Sequence, residues 1–213
     1  MGGLSRRSTM TLFSDPNCHY SHRVRIALAE KGVSYDLEEY TQETVPEELG
    51  DVNPYNSLPT LLDRDLVLYD SNVILEYLDE RYPHPPLLPI YPDARARARL
   101  VLHQIERDWS GIVDSLMEIG AATGGMADKR KELAQGVIAV AAEFADKPFF
   151  CGDEFTLVDC SLAPIFWRLT VMGIQLPKNR QTQPLFSYMD RVFSRPAFQQ
   201  SLSALERDMP NVR

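Results

Sequence analysis

Five prolines crowd one short stretch of the chain: Pro83, Pro85, Pro86, Pro89 and Pro92. Proline fixes its own φ and has no N–H to donate, so a run this dense fits neither a helix interior nor a central strand. The stretch therefore divides the chain. Before it, short β-rich runs alternate with helical patterns; after it, only the helical period is found. The expected organisation is a small α/β module over 9–83, a Pro-rich linker over 84–92 and an all-helical module over 93–208. At 213 residues, 44% of them hydrophobic, the chain is long and apolar enough to bury a core in each module.

Within the first module, Thr9 to Phe13 reads as a strand. Val24, Ile26, Ala27 and Leu28 give an amphipathic helix that stops at Gly32. Tyr35 to Tyr40 reads as a second strand, and Thr60 to Leu62 with Leu66 to Leu68 flank Asp63, Arg64 and Asp65 as a hairpin. Val73, Ile74, Tyr77 and Leu78 mark a helix ending before Pro83. In the second module Val101, Ile105, Trp109, Ile112 and Leu116 form one stripe, and Leu133, Val137, Val140 and Phe144 another, with Gly124 and Gly125 between them. Later helices are expected over Leu157 to Met172, Pro184 to Phe193 and Ala197 to Asp208, and both tryptophans, Trp109 and Trp167, in the core.

The charge balance narrows the partners. Lys and Arg number 22 against 30 Asp and Glu, a net charge of −8. Phosphate-backbone affinity needs clustered positive charge, so direct nucleic-acid binding is not expected. Arg95, Arg97 and Arg99 form the one conspicuous basic cluster and read as a solvated helix face. No apolar run approaches the roughly 18 residues of a membrane helix. Met1 to Thr9 lacks the apolar stretch of a secretory signal, and Arg6 stands where a myristoylation motif at Gly2 wants Ser or Thr. Three cysteines, Cys18, Cys151 and Cys160, make no CxxC pair, which fits a reduced, cytoplasmic compartment.

Four motifs carry chemistry. Pro59 opens the third strand, where a cis Leu58–Pro59 bond would turn the chain sharply and leave the Leu58 backbone open to an extended peptide; an ordinary trans turn is the plainer alternative. Asp70 and Ser71 precede a helix whose N-terminal N–H groups attract a carboxylate while Asp70 takes an ammonium; capping by Ser71 alone needs no ligand. Thr156 and Asp159 spell a capping box with Phe155 and Cys160 at the staple positions, a purely structural device. Finally, prolines on both sides hold His84 extended and offer its imidazole outward, as a stiff protein-binding knob or as part of a plain linker.

Taken together, the Pro at the third strand, the Asp70–Ser71 pair, the helical second module and the capping box resemble the glutathione transferase family over nearly the whole chain. The resemblance implies a thioredoxin-like first domain, an all-helical second domain and a homodimer. By position, Cys18 matches the nucleophile of omega-like members. A helix N-terminus with His19 or His22 nearby would lower its thiol pKa, whereas the bland reading is a small loop residue. A metal held by Cys18, His19 and His22 is not expected, because three ligands crowd into five residues without a distant partner.

Three departures weaken the enzyme. His19 follows Cys18 where those members carry Pro, Asp15 adds a negative charge, and Ser57 replaces the Lys or Gln that helps hold glutathione. Losing a cationic partner of a carboxylate costs around 1.5–3 kcal/mol, so Leu58, Pro59, Asp70 and Ser71 read as a vestigial glutathione site. The run Tyr77 to Leu87, the residues Ile90, Tyr91 and Pro92, the stretch Asp153 to Cys160 and Tyr20, Ser21 and His22 sharpen the resemblance, to the bacterial stringent starvation protein A family. That resemblance implies association with RNA polymerase holoenzyme including its sigma factor, regulation of transcription under starvation or stress, no cofactor and no evident transferase activity. The family's surface determinant, a Pro-His-Pro run, matches Pro83, His84 and Pro85. The alternative is a glutathione-dependent transferase or thiol reductase using Cys18, with glutathione as its cofactor.

Overall fold

A computed structural model describes residues 9–119 and 126–210. The readings made on Gly2, Arg6, Gly124 and Gly125 lie outside the described residues. The chain divides into two compact units, Met1–Pro85 with Gln200–Arg207, and Pro86–Gln199 with Asp208–Arg213. The stretch 200–207, read from sequence as part of the second module, thus joins the first.

The first unit runs β1 (Thr11–Ser14), α1 (His19–Lys31), β2 (Asp36–Glu39), β3 (Thr60–Asp63), β4 (Leu66–Leu68) and α2 (Ser71–Arg81). Its sheet has the order β2-β1-β3-β4, with β2 parallel to β1 and both hairpin strands antiparallel. β1 is buried throughout, Thr11 and Ser14 as well as Leu12 and Phe13, as suits a strand paired on both edges. Phe13 and Leu62 meet Leu49 on one face, and Leu12 pairs with Leu61, whose side chains point to the other. Each such burial stabilises by roughly 1.5–3 kcal/mol. α1 ends where Gly32 adopts φ 63°, a left-handed cap that a side chain would strain. α1 itself differs from its expected amphipathic form. Its polar residues His19, His22, Arg23, Arg25 and Lys31 are buried along with Val24, Ile26 and Leu28; His22 meets Ser201, Arg23 donates to Asn72, Arg25 to Glu206 and Lys31 to Asp79, while His19 packs on Tyr20 and Arg23 of the same helix.

The second unit is helical: α3 (Pro92–Ile105), a π turn (Glu106–Ser110), α4 (Gly111–Ile119), α5 (Ala127–Ala139), a 3-10 turn (Val140–Phe144), α6 (Leu157–Trp167) and α7 (Gln183–Phe193). The stripe drawn from Val101 to Leu116 shifts register. Leu102, Ile105, Val113 and Leu116 are buried, while Val101, Trp109 and Ile112 are half-buried, since the wider π turn rotates the buried face. Trp109 is thus not fully in the core, whereas Trp167 is buried against Phe193 and Phe198, with ring centroids 4.9 and 5.2 Å away.

α6 is buried at every position and starts at the Thr156–Asp159 capping box. The Asp159 carboxylate accepts from the N–H groups of Thr156 and Phe150 at 2.8 and 3.0 Å and from the Tyr188 hydroxyl at 2.9 Å. Burial pushes the Asp159 carboxyl up against the pull of those bonds. The helix expected over Ala197 to Asp208 is instead two, α8 (Pro196–Ser201) and α9 (Ala204–Arg207). Ser203 breaks it. Its N–H donates to Glu206 at 2.9 Å and its hydroxyl accepts from the Glu206 N–H at 3.1 Å, a second capping box.

Candidate functional site

The loop from β1 to α1 carries Asp15, Pro16, Asn17 and Cys18, and Cys18 is the N-cap residue of α1 in extended conformation, half-buried. Buried charge fixes this loop. Arg25, two turns into α1, donates to the Ser14 hydroxyl at 2.6 Å, the Asp15 carbonyl at 3.2 Å and the Ser201 carbonyl at 2.8 Å. Its remaining donors grip both oxygens of fully buried Glu206 at 2.7 and 2.6 Å. The Ser203 hydroxyl donates to the Pro16 carbonyl at 2.6 Å. The two imidazoles expected to tune Cys18 are engaged in this packing. His22 has Nε2 3.1 Å from the Ser201 hydroxyl and Nδ1 3.4 Å from Glu206. His19 stacks on Tyr20, 3.9 Å between centroids, with Nδ1 3.4 Å from Arg23. Among the described residues no group of three His, Cys, Asp or Glu side chains gathers as a metal site.

Across the sheet, the Leu58–Pro59 bond is cis and Pro59 is buried at the start of β3. Asn53, fully buried, donates to the Ser57 carbonyl at 3.1 Å and to the Thr60 hydroxyl at 2.9 Å, which ties the preceding loop to the strand. At the next helix the roles differ from the sequence reading. Asp70, not Ser71, is the N-cap: its Oδ1 accepts from the N–H groups of Asn72 and Val73 at 2.9 and 3.0 Å. Ser71 is the first helical residue and is buried. A carboxylate reaches two orphan N–H groups from that position with the helix dipole in its favour, which is why it wins the cap. Tyr55 and Tyr69 are exposed beside it, their rings 5.5 Å apart.

The Pro-rich stretch leaves α2 at Tyr82, and Pro83, His84, Pro85 and Pro86 are all exposed. The His84–Pro85 bond is cis. This exposed segment has a buried anchor. Lys31, in the last turn of α1, donates to the Pro85 carbonyl at 2.5 Å and to the Asp79 carboxylate at 2.6 Å. Close by on α2, Tyr77 donates to Asp63 at 2.6 Å, and burial followed by that carboxylate pushes its phenol up.

Two family models match, the N-terminal domain of glutathione S-transferases over residues 17–81 and their C-terminal domain over 92–191. A stringent starvation protein A homolog of Coxiella burnetii is 46% identical, covering 97% of this chain and 98% of that protein. Another, of Haemophilus ducreyi, is 45% identical over 93% of this chain and 92% of its own length. The chain belongs to the stringent starvation protein A family. Its fold is that of the wider transferase superfamily: the theta class glutathione S-transferase of Xanthomonas axonopodis pv. citri, solved with glutathione bound, superposes with a TM-score of 0.80 at 23% identity, covering 97% of this chain and all of that one.

In this stringent starvation protein A relative, sequence reasoning names the exposed residues and misses what supports them. Lys31 and Asp79 are singled out by no motif of the sequence. Their pairing spans 48 positions in sequence, and no local pattern announces it. Arg25 and Glu206 are 181 positions apart. Only the S-x-x-E spacing of Ser203 and Glu206 gives a readable signal, the same signal that reveals Thr156 and Asp159.

Proposed function

We propose that this chain is a cytoplasmic, homodimeric transcription regulator that binds RNA polymerase holoenzyme through the surface of Pro83, His84 and Pro85, without transferase chemistry. The observation that carries the reading is the exposed His84 between exposed prolines, on a segment fixed from below by the buried Lys31–Asp79 pair. A contact residue pre-set by its scaffold loses little entropy on binding. The acidic surface implied by a net charge of −8 suits docking on basic faces of a polymerase rather than on DNA. Family membership supports the same partner.

The catalytic role stays empty in this reading because titratable side chains around Cys18 in sequence are committed elsewhere: His19 to Arg23, His22 to Ser201 and Glu206, and Asp15 Oδ1 to the Asn17 N–H at 2.7 Å. The alternative, a glutathione-dependent thiol enzyme, is favoured by the half-buried Cys18 at the start of α1. Two measurements separate them. Replacing Pro83, His84 and Pro85 together with alanine should abolish co-purification of polymerase from extract while circular dichroism and dimer mass stay unchanged; undiminished polymerase recovery would reject this surface. Calorimetric titration with glutathione should give no constant tighter than millimolar. A micromolar constant with turnover lost in Cys18→Ser would establish the enzyme instead.

A further inference from the structure

The helical unit contains a hollow that neither the fold nor the proposed function uses. It measures about 250 Å³ and lies between α3, the π turn, α5 and α6, with Trp109, Gly136, Val140 and Leu162 among its walls. A second hollow of about 290 Å³ also has Val101 and Phe150 in its lining, so the two adjoin there as the lobes of a surface trough. An empty apolar cavity of about 150 Å³ accepts benzene, and drug-sized pockets begin near 300 Å³. The trough is large enough for a bicyclic ring with a polar substituent.

Three features shape its chemistry. The π turn carries both Asp108 and Trp109 to the first lobe, and such turns are frequent at binding sites. Gly136 stands inside the last turn of α5, where Ala would be the better helix former. A Cβ at that position would lie 2.9 Å from Trp109 Nε1 and 3.3 Å from two ring carbons, so the glycine lets the indole lie flat against the helix as a wall. The second lobe has Arg97 and Lys147 in its lining, and the first has neither. Arg97 pairs with Asp93 and Lys147 with Glu143, exposed carboxylates one helical turn away, and ion pairs of that kind are weak enough for a bound acid to displace, while Lys147 keeps its donation to the Phe150 carbonyl at 3.0 Å. Asp108 borders the first lobe and not the second, so it repels an anion from the first and sets the direction of binding.

We propose that this trough binds a planar aromatic carboxylate, with its rings against Trp109 and Phe150 and its carboxylate between Arg97 and Lys147. The site lies wholly within the second unit and is independent of the polymerase reading.

Isothermal titration of the full chain with 2-naphthoate, and with 2-naphthol as the uncharged counterpart, tests both halves. Saturable 2-naphthoate binding is expected, weakened at least about tenfold by Gly136→Ala, whose methyl pushes the indole into the first lobe. Arg97→Gln with Lys147→Gln should weaken 2-naphthoate about tenfold and leave 2-naphthol unchanged. If Gly136→Ala fails to fold by circular dichroism, Val140→Phe fills the same lobe and replaces it. No saturable binding, or binding indifferent to lobe filling, overturns the site. Binding of both compounds that the double substitution leaves equal overturns the carboxylate assignment.

Discussion

Arg25 and Glu206 show how much a single buried pair controls here. Both are essentially inaccessible, and the guanidinium spends its donors on the loop before Cys18 as well as on the carboxylate. Two charges taken out of water gain little net stability, yet removing one strands the other. Glu206→Ala is therefore expected to cost about 3–5 kcal/mol in denaturant unfolding, whereas Arg25→Met combined with Glu206→Leu recovers most of it. A single-variant loss below about 1 kcal/mol, the range of an exposed pair, would mean water reaches the pair. Tyr188 gives a pH-dependent counterpart. Burial, then the neighbouring Asp159 charge, holds its phenol well above the ordinary value near 10. The unfolded chain ionises this phenol first, so the folded state keeps its full stability below about pH 10 and loses it as pH rises further. Unfolding midpoints measured from about pH 8 to about pH 11 should fall along this limb. In Tyr188→Phe the limb should be shallower, on a baseline lowered by about 1–3 kcal/mol for the hydrogen bond withdrawn from buried Asp159.

Elements were legible in the sequence where one local pattern decides them. All four strands, the Gly32 stop of α1, the turn at Asp63 to Asp65 and the end of α2 before Pro83 follow from short β-rich runs, a glycine needing positive φ, and a proline that cannot continue a helix. What periodicity could not supply was the π turn, because the insertion leaves the apolar composition intact and only rotates the face. It also could not supply the break at Ser203 once the apolar pattern was drawn through it, or the polar burial of α1, which depends on residues about 180 positions away. The same limit applies to the candidate site: Pro83, His84 and Pro85 could be named, but the Lys31 anchor beneath them could not. That anchor is testable as an element. Lys31→Met keeps the stem's packing and every exposed residue of the segment while withdrawing the donor to the Pro85 carbonyl. It should reduce polymerase recovery about tenfold with His84 untouched. Full recovery would show that the prolines alone set the segment's shape.

At the scale of the whole molecule, the proposed homodimer must be built from surfaces that each chain offers. In the first unit, the β4–α2 face presents Leu66 and Val73, 39% and 52% exposed, around a hollow bordered by Glu76 and Glu80. Val73, Glu76 and Glu80 share one side of α2 by their spacing of three and four. In the second unit, Arg95 and Arg99 stand one turn apart on α3. An apolar patch with an acidic border on one surface, and a basic pair on another, are complementary between copies, and a twofold axis would make the contact twice. Such a contact would give the arginine cluster, read from sequence as a solvated face, a task that composition cannot reveal, since net charge says nothing about where opposite charges meet. Glu76→Lys with Glu80→Lys should drive the mass measured by light scattering toward one chain, as should Arg95→Glu with Arg99→Glu. Carrying all four reversals in one chain should restore the dimer, because the attractive pairing is re-formed with its signs exchanged. Two separately monomeric variants whose combination stays monomeric would place the dimer contact on other surfaces, and an unaffected dimer in either variant would remove charge from its assembly altogether.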